Sequence, residues 1–345
     1  MSLSVMPRRG FMAVGLGLMF ALAACGSGAD TASPAAGGSP AATGSAAAPG
    51  AQEGPWTFTD DRGKRIDAPR RPARVVAQVG AAAALWDFGV RPIAVFGPHR
   101  LTDGSKDPQV GDVDITKVES IGNVWDEFNV EKYISLQPEL LVSGMYDKAL
   151  WYVPEKSAAT IEQVAPTLGV RLNGRSAPEI IQKYGEVAAA LGADLDAPEV
   201  TAAKSAFDAA AAALPTAETK KLKVMAIAGG PETMWVVNPD DHAGVRYLRE
   251  LGLDVVVPDK VDDGGFWESL SWENADKYTA DVILVDNRTQ SMKIDEMKKK
   301  PTFAKLPAVK ANQVYGWNSE ERFSYKGFAD LLQKLGADLA TAKKL

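Results

Sequence analysis

Cysteine and histidine are scarce in this 345-residue chain, which contains one Cys and two His. One cysteine cannot form an intramolecular disulfide bond, and it cannot supply a cluster of thiolate ligands to a metal ion. A site that holds a bare Zn²⁺ or Mn²⁺ through three or four imidazoles cannot be built from His99 and His242 alone. The composition therefore argues against a disulfide-stabilised scaffold and against a receptor for a naked metal ion.

Basic residues are also in deficit, because 38 Lys and Arg stand against 44 Asp and Glu, for a formal charge of -6. A chain without a basic footprint is not expected to bind nucleic acid. The body of the chain lacks the G-x-S-x-G, H-E-x-x-H, Walker A and G-x-G-x-x-G motifs. We therefore predict that the protein is not an enzyme, and an exported hydrolase with a dispersed pair of carboxylates stays open as an alternative.

The first 25 residues have the layout of an export signal. Arg8 and Arg9 precede the apolar run 11–24, which is short for a membrane span, and small residues lead to Cys25. The final Leu-Ala-Ala-Cys resembles the bacterial lipobox, in which the cysteine is acylated and becomes the new N-terminus. Residues 1–25 are therefore predicted to be a lipoprotein signal peptide with lipidation at Cys25. The arginine pair leaves the choice between general and twin-arginine export open.

The segment 26–54 consists almost wholly of Ala, Gly, Ser, Pro and Thr. Such a segment buries too little apolar surface to offset its ordering entropy, so we expect a flexible tether with a reach of about 30 Å. Together with lipidation at Cys25, this tether predicts that the protein is held by lipid at the extracytoplasmic face of the cell membrane.

The rest of the chain alternates short β-branched runs with helical stretches, which is typical of α/β units with mainly parallel sheets. Its length and its 46% hydrophobic residues predict two globular lobes. We expect strands at Arg74–Gln78, Ile93–Phe96, Glu139–Ser143, Lys223–Ala228, Asp254–Val257, Asp281–Val285 and Gln313–Gly316.

Between the two groups of strands lies a helical span without strand signals. Ser176 and Glu179 have the spacing of a capping box, and an Ala-rich second helix is expected over about Glu199–Leu214, before Pro215. The predicted organisation is an N-terminal α/β lobe over 55–175, a rigid helical connector over 176–215 and a C-terminal α/β lobe over 216–345.

The two halves repeat one pattern. A Gly is followed by Trp after three residues, by Glu after six more, and after a further eight by an acidic residue that opens a strand. The two sets are Gly122, Trp125, Glu131, Glu139 and Gly264, Trp267, Glu273, Asp281. Asn129 and Ser271 are good N-cap residues two positions before the paired glutamates, so Glu131 and Glu273 are predicted in the first turns of equivalent helices.

With these segments the sequence resembles the iron-siderophore and cobalamin binding proteins of ABC importers, from about Trp56 to Leu335. The resemblance is carried by Arg74-Val75-Val76, Leu85–Val90, Asn129–Val142 and Ser271–Asp276, although Ala280 replaces the proline found at Pro138. It implies two Rossmann-like lobes joined by a rigid helical backbone, with a shallow ligand cleft between them. It also implies that Glu131 and Glu273 dock into arginine pockets of two permease subunits that work with an ATPase.

Aromatic and basic residues are interleaved in loops that follow predicted strands, where open α/β sheets usually bind ligands. Aromatic faces suit the organic arms of a bulky chelate, and guanidinium groups suit the oxygens around its metal. His242, beside two aspartates, is interpreted as a packing or surface residue. The candidate ligand-binding residues are Tyr146, Trp151, Trp235, Arg288, Trp317, Arg322, Tyr325, His99 and Arg100.

The charge of the chain favours one kind of chelate. A ferric tris-catecholate is a trianion that needs a basic cluster, whereas ferric hydroxamates are near neutral or cationic. We therefore expect a ferric hydroxamate siderophore of the ferrioxamine or ferrichrome kind as the bound ligand. The resemblance is greatest to ferrioxamine-type receptors and implies a ferrioxamine. No cofactor is expected, and the receptor is expected to be a monomer. A catecholate siderophore, cobalamin or haem remains open as the ligand.

Overall fold

The computed structural model describes residues 54–214 and 221–345, which form two α/β lobes, each built round a six-stranded sheet. The predicted signal peptide, Cys25 and nearly all of the predicted tether lie outside the described residues. In the described ranges, no helix combines the length and the apolar character needed to cross a bilayer.

The first lobe begins with an antiparallel hairpin and continues with a mainly parallel sheet. The order of its sheet is β5-β4-β3-β6-β7, with β8 also paired to β6, and only the β6–β7 pair is antiparallel among these described strands. Its elements are β1 (Trp56–Thr59), β2 (Arg65–Ala68), β3 (Val75–Gln78), α1 (Val79–Asp87), β4 (Ala94–Phe96), β5 (Glu119–Ser120), α2 (Val130–Ser135), β6 (Leu140–Tyr146), β7 (Ala149–Leu150), α3 (Glu155–Val164) and β8 (Thr167–Arg171).

Two helices follow, α4 (Ala177–Ala190) and α5 (Pro198–Ala213). The predicted capping box is confirmed, because the backbone N–H of Ser176 donates to the Glu179 carboxylate over 2.7 Å at the start of α4. Helix α5 begins one residue before its predicted start and ends one residue before its predicted end. The predicted helical span is therefore present.

The second lobe has the sheet order β12-β10-β9-β13-β14, with β11 also paired to β9. Its β9–β10 and β10–β12 pairs are antiparallel, and its other pairs are parallel. Three of its five described strand pairs are therefore parallel, which agrees with the predicted mainly parallel sheet, and the antiparallel pairs are those of β10. The elements are β9 (Lys223–Gly229), β10 (Thr233–Val237), α6 (Ala243–Glu250), β11 (Asp254–Val255), β12 (Trp267–Ser271), β13 (Val282–Asp286), α7 (Ile294–Met297), α8 (Pro307–Lys310), β14 (Val314–Trp317) and α9 (Tyr325–Thr341).

Helix α4 contacts both lobes, since it packs against α1 and β8 on one side and against α6 on the other, while α5 packs along α9. One apolar cluster runs from the first sheet through Ile180 and Tyr184 of α4 to Leu248 and Leu332 in the second lobe. The two-lobed α/β architecture is thus confirmed, and all seven predicted strands are present as β3, β4, β6, β9, β11, β13 and β14.

The internal repeat is confirmed at the start of the central strands. Oε2 of Glu139 accepts the backbone N–H of Arg74 over 3.0 Å ahead of β3, and Oδ2 of Asp281 accepts the N–H of Lys223 over 2.6 Å at the start of β9. One part of the prediction is wrong: Glu131 lies in the first turn of α2, but Glu273 lies in a short 3₁₀ turn. That turn opens with Trp272, whose buried indole N–H donates to the Gly230 carbonyl and holds the segment against the sheet.

Candidate functional site

A cleft of about 610 Å³ lies between the two lobes. This volume is within the range of small-molecule sites. Most of its lining residues follow the carboxyl ends of strands, where open α/β sheets place ligands. The first lobe contributes Pro98, Val124, Trp125, Tyr146, Trp151 and Tyr152, and the second contributes His242, Phe266, Trp267, Arg288, Gln290, Ser319 and Glu320.

The first wall of the cleft is built on the hairpin of β6 and β7. Asp147 takes a left-handed conformation with φ of 53° in the two-residue turn, and Tyr146 stands just before it. The Trp151 backbone is fixed on both sides, because its N–H donates to Gly144 over 2.8 Å and its carbonyl accepts from the Ser143 hydroxyl over 2.9 Å. Tyr152 has φ of 61°, a strained conformation for a bulky side chain that occurs mainly where the surrounding structure imposes it.

Four rings of this wall form an edge-to-face cluster. The centroid of Trp151 lies 4.7 Å from those of Trp125 and Tyr146 and 5.7 Å from that of Tyr152. The side chain of Trp125 is 59% exposed in spite of these contacts. Aromatic pairs in this geometry stabilise each other, so the cluster forms a pre-arranged apolar surface with one face open to solvent.

Trp125 stands on a loop whose shape depends on its neighbours. A side chain at Gly122 would collide with the Glu127 carbonyl, because a Cβ there would lie 1.5 Å from that oxygen. Oδ1 of Asn123 accepts the backbone N–H groups of His99 and Arg100, at 3.1 and 2.9 Å. His99 and Arg100 therefore support the loop through their backbone.

The second wall carries Phe266, Trp267 and His242. Phe266 meets Tyr146 across the cleft, with ring centroids 5.2 Å apart. The His242 ring packs against Trp317 at 4.9 Å and Trp267 at 6.2 Å. Burial lowers the pKa of His242 to about 4, so this imidazole is neutral at physiological pH.

The charged part of the cleft is centred on Arg288. Its Nε donates to both carboxylate oxygens of Asp286, at 3.2 and 2.9 Å, and its Nη1 donates to Glu320. Burial alone would lower the pKa of Arg288, but the carboxylates of Glu320 and Asp286 raise it above its ordinary value. Burial also raises the pKa of Glu320, and the adjacent guanidinium opposes that shift and favours the carboxylate form. Among the described residues that line the cleft, Arg288 is the only cation and Glu320 the only anion.

Hydrogen bonds join the two lobes beside the cleft. Nε2 of Gln109 donates to Glu320 over 3.0 Å, and the Thr289 hydroxyl donates to Asp107 over 2.7 Å. A cavity of about 20 Å³ lies between Gln109, Glu320 and Tyr184 of α4. The cleft is therefore closed on the side that faces α4.

Three of the nine predicted ligand-binding residues line the cleft, namely Tyr146, Trp151 and Arg288. Trp317 and Arg322 line a separate cavity of about 240 Å³ instead. Trp317 is buried there and its indole donates to Glu321 over 3.0 Å, while Arg322 donates to Asp330 over 2.9 Å.

The other four lie elsewhere. Trp235 is inside β10, because the residues after β9 turn back into an antiparallel strand rather than a loop. Tyr325 is the first residue of α9, where it packs on the rings of Phe88 and Phe207. His99 is fully buried with Nδ1 against the Gly97 carbonyl, and Arg100 donates to the Ile115 carbonyl.

Sequence reasoning did not select several residues that the fold brings to the cleft. Trp125 and Trp267 are the tryptophans of the internal repeat, and both line the cleft. Their repetition in the sequence could therefore have marked them as candidate ligand-binding residues. Tyr152 and Glu320 follow predicted strands as the selected residues do. His242 packs as expected but also lines the cleft, and Phe266 had no distinguishing signal.

Elsewhere, Glu131 and Glu273 are both exposed at the surface of their lobes. Within residues 54–214 and 221–345, no group of three or more His, Cys, Asp or Glu side chains is placed to hold a metal ion.

Comparisons with known proteins identify the family and the fold. The family described as periplasmic binding protein matches residues 85–321. The crystal structure of DesE, a ferric-siderophore receptor protein from Streptomyces coelicolor, is 40% identical with a TM-score of 0.80, over 84% of this chain and 99% of that one.

Two curated proteins of Bacillus subtilis are more distant relatives. The iron(3+)-hydroxamate-binding protein YxeB is 22% identical over 75% of this chain and 76% of its own length. The Fe(3+)-citrate-binding protein YfmC is 22% identical over 78% of this chain and 80% of its own length.

Proposed function

The chain belongs to the periplasmic binding protein family, and we propose that it is a receptor that binds a ferric hydroxamate siderophore between its lobes. Membership of a family of binding proteins confirms the prediction that the chain is not an enzyme. The observation that carries the proposal is the aromatic cleft with a single, carboxylate-paired arginine. The ferric chelate is cargo, bound and released unchanged, and is not a cofactor.

The aromatic walls support a chelate with bulky organic arms. Rings from both lobes face the same space, and Trp125 is largely exposed there. Apolar arms would cover these rings and remove apolar surface from water, which favours binding by about 25 cal/mol for each Å² buried. Arg288 lines one side of the cleft, and a guanidinium there would donate to oxygens around the metal and so orient the chelate.

The charge of the cleft supports a hydroxamate over the other iron chelates. Asp286 and Glu320 together offset the charge of Arg288, so no surplus positive charge awaits a trianionic catecholate or a ferric citrate complex. A neutral or cationic tris-hydroxamate meets no such mismatch. The name of the relative YxeB, a hydroxamate-binding protein, is consistent with this choice.

We further propose that the receptor is monomeric and is held at the extracytoplasmic face of the membrane by a lipid on Cys25. From there it would deliver the chelate to an ABC permease driven by an ATPase. The exposed positions of Glu131 and Glu273, one on each lobe, suit contacts with basic pockets of two permease subunits.

Titration of the intrinsic tryptophan fluorescence tests this function. Ferrioxamine B should quench the emission saturably with one chelate per chain, because Trp125, Trp151 and Trp267 line the cleft. Ferric enterobactin, ferric citrate, haem and cobalamin are titrated in parallel. Tighter binding of any of these than of ferrioxamine B would replace the hydroxamate in the proposal, and failure of every iron chelate to bind would refute it.

A further inference from the structure

The pairing of Arg288 has a feature that ligand contact alone does not explain. A guanidinium that only had to reach the ligand would need one carboxylate to balance its charge, and Asp286 already does so at 2.9 Å. Asp286 is fully buried and also accepts the N–H of Ser319 over 3.2 Å, so it belongs to the framework of the lobe. Glu320 is a second carboxylate on the same guanidinium, and this one lines the cleft.

We propose that Glu320 is a specificity-determining residue that selects the ligand by charge, so that the cleft favours chelates of positive or zero charge over anionic ones. This inference rests on the proposed function and adds to it the residue that excludes anionic chelates.

The geometry supports a role in charge selection. Once Asp286 balances Arg288, the carboxylate of Glu320 leaves the charged cluster with one surplus negative charge. Its surroundings are partly dry, because its side chain is 11% exposed and that of Arg288 is 15% exposed. A charge in such a place acts on a ligand with little screening by solvent.

Glu320 can be altered with little change of shape. Its oxygens accept from Arg288 on one side and from Gln109 on the other, over 3.0 Å in the second case. A side-chain amide is isosteric, and its oxygen can keep one of these bonds. The variant Glu320→Gln therefore removes the charge while the contact between the lobes is largely retained.

The test uses one chelate skeleton in three charge states. Ferrioxamine B carries a free ammonium group and is a monocation, its N-acetyl derivative is neutral, and its N-succinyl derivative is a monoanion. All three hold the iron in the same hydroxamate shell, so differences in affinity report charge. The dissociation constants of the three complexes are measured for the wild type and for E320Q at neutral pH and low salt.

We expect the wild type to bind in the order cation, neutral, anion. In E320Q the preference for the cation over the anion should fall by about tenfold for each unit of difference in ligand charge. A unit charge about 10 Å away, at an effective dielectric constant of about 20, changes the binding free energy by an amount of that size. If E320Q weakens all three complexes equally, Glu320 is structural and the inference is overturned, while the proposed function stands. If the wild type binds none of the three, the proposed function fails and the inference fails with it.

Two further variants complete the experiment. Glu321→Gln is the matched control, because Glu321 is the next residue along the chain, is buried and does not line the cleft. The ratio of the dissociation constants of cation and anion should not change in this variant.

Gln290→Lys adds a positive charge at an exposed lining residue, and it should shift the ratio in the same direction as E320Q even if E320Q does not fold. An unchanged ratio in Q290K would show that charge in the lining does not select the ligand, which also overturns the inference.

Discussion

Glu139 and Asp281 stand at matching points of the two lobes, each at the start of a central strand and each accepting a backbone N–H at the start of the neighbouring strand. Their own N–H groups return the contact, to the Arg74 carbonyl over 2.9 Å and to the Lys223 carbonyl over 2.8 Å. The acidic residue of the sequence repeat thus forms a pair of hydrogen bonds with the neighbouring strand, and this pair fixes the register of β3 with β6 and of β9 with β13.

The hydrogen bonds of Asp281 predict that Asp281→Asn loses stability. Asp281 accepts the backbone N–H groups of Lys223 and Leu345, at 2.6 and 2.7 Å, and pairs with Lys344 at 2.8 Å. We expect the free energy of unfolding to fall by about 1–3 kcal/mol, measured by urea denaturation at pH 7. Glu139→Gln should cost less, because the Glu139 side chain is 25% exposed against 5% for Asp281.

The same variant has a pH signature. Burial opposes the charge of Asp281, but its bonds to Lys223, Lys344 and Leu345 outweigh burial and lower its pKa. A carboxyl whose pKa is lowered by folding contributes stability above its unfolded pKa and loses it as the pH falls below about 4. The difference in the free energy of unfolding between wild type and D281N should therefore shrink in acid. A difference that does not change with pH would contradict this role of the Asp281 carboxylate.

A second prediction concerns the exposed ring of the cleft. Trp125→Ala should weaken ferrioxamine B binding by about 2 kcal/mol, or roughly 30-fold in Kd, because the chelate loses one face of its aromatic wall. The fold should survive, since this side chain is 59% exposed. Trp86→Phe is the control, because Trp86 lies in α1, outside the cleft lining. Equal affinities in the two variants would place the ligand elsewhere.

A third prediction separates delivery from binding. Glu131→Ala and Glu273→Ala should leave the Kd for the chelate unchanged and reduce uptake of radiolabelled iron by cells roughly tenfold, because each removes one of the charged contacts proposed with the permease. Glu155→Ala serves as the control, since Glu155 is likewise an exposed glutamate in the first turn of a helix. A loss of ligand binding in either variant would show that these glutamates do not form a docking surface.

A fourth prediction follows from Glu321. Burial raises the pKa of this carboxyl to about 8, so the folded protein holds a proton that the unfolded chain releases at about pH 4.5. The wild type should lose stability relative to Glu321→Gln as the pH rises from about 4.5 to 8, by up to about 1.4 kcal/mol per pH unit. Chemical denaturation of both proteins across this range measures it, and parallel stability curves would contradict the assignment.

The sequence predicted the central strands because their apolar β-branched runs are buried on both faces, as in β6 and β13. It did not predict which strands pair. The segment after β9 returns as an antiparallel strand, and this pairing moves Trp235 from a loop into the sheet. Strand pairing depends on contacts between distant residues, which a local pattern does not contain.

The candidate site was predictable only in part for a related reason. Ser324 caps α9, its hydroxyl accepting the Gly327 N–H over 2.9 Å, so Tyr325 begins a helix instead of ending a loop. Conversely, Trp125 reaches the cleft because Gly122 and Asn123 fold its loop back on itself. Whether each of these side chains reaches the cleft therefore depends on one helix cap or one glycine nearby.

The bond between Gln109 and Glu320 and the packing of α4 close the cleft on the side that faces α4. A chelate must then enter and leave by the sides of the cleft that face away from this helix. A transporter that docked over those sides would cover the route to the outside at the moment of transfer. The closed side of the receptor would then block escape of the iron complex past α4.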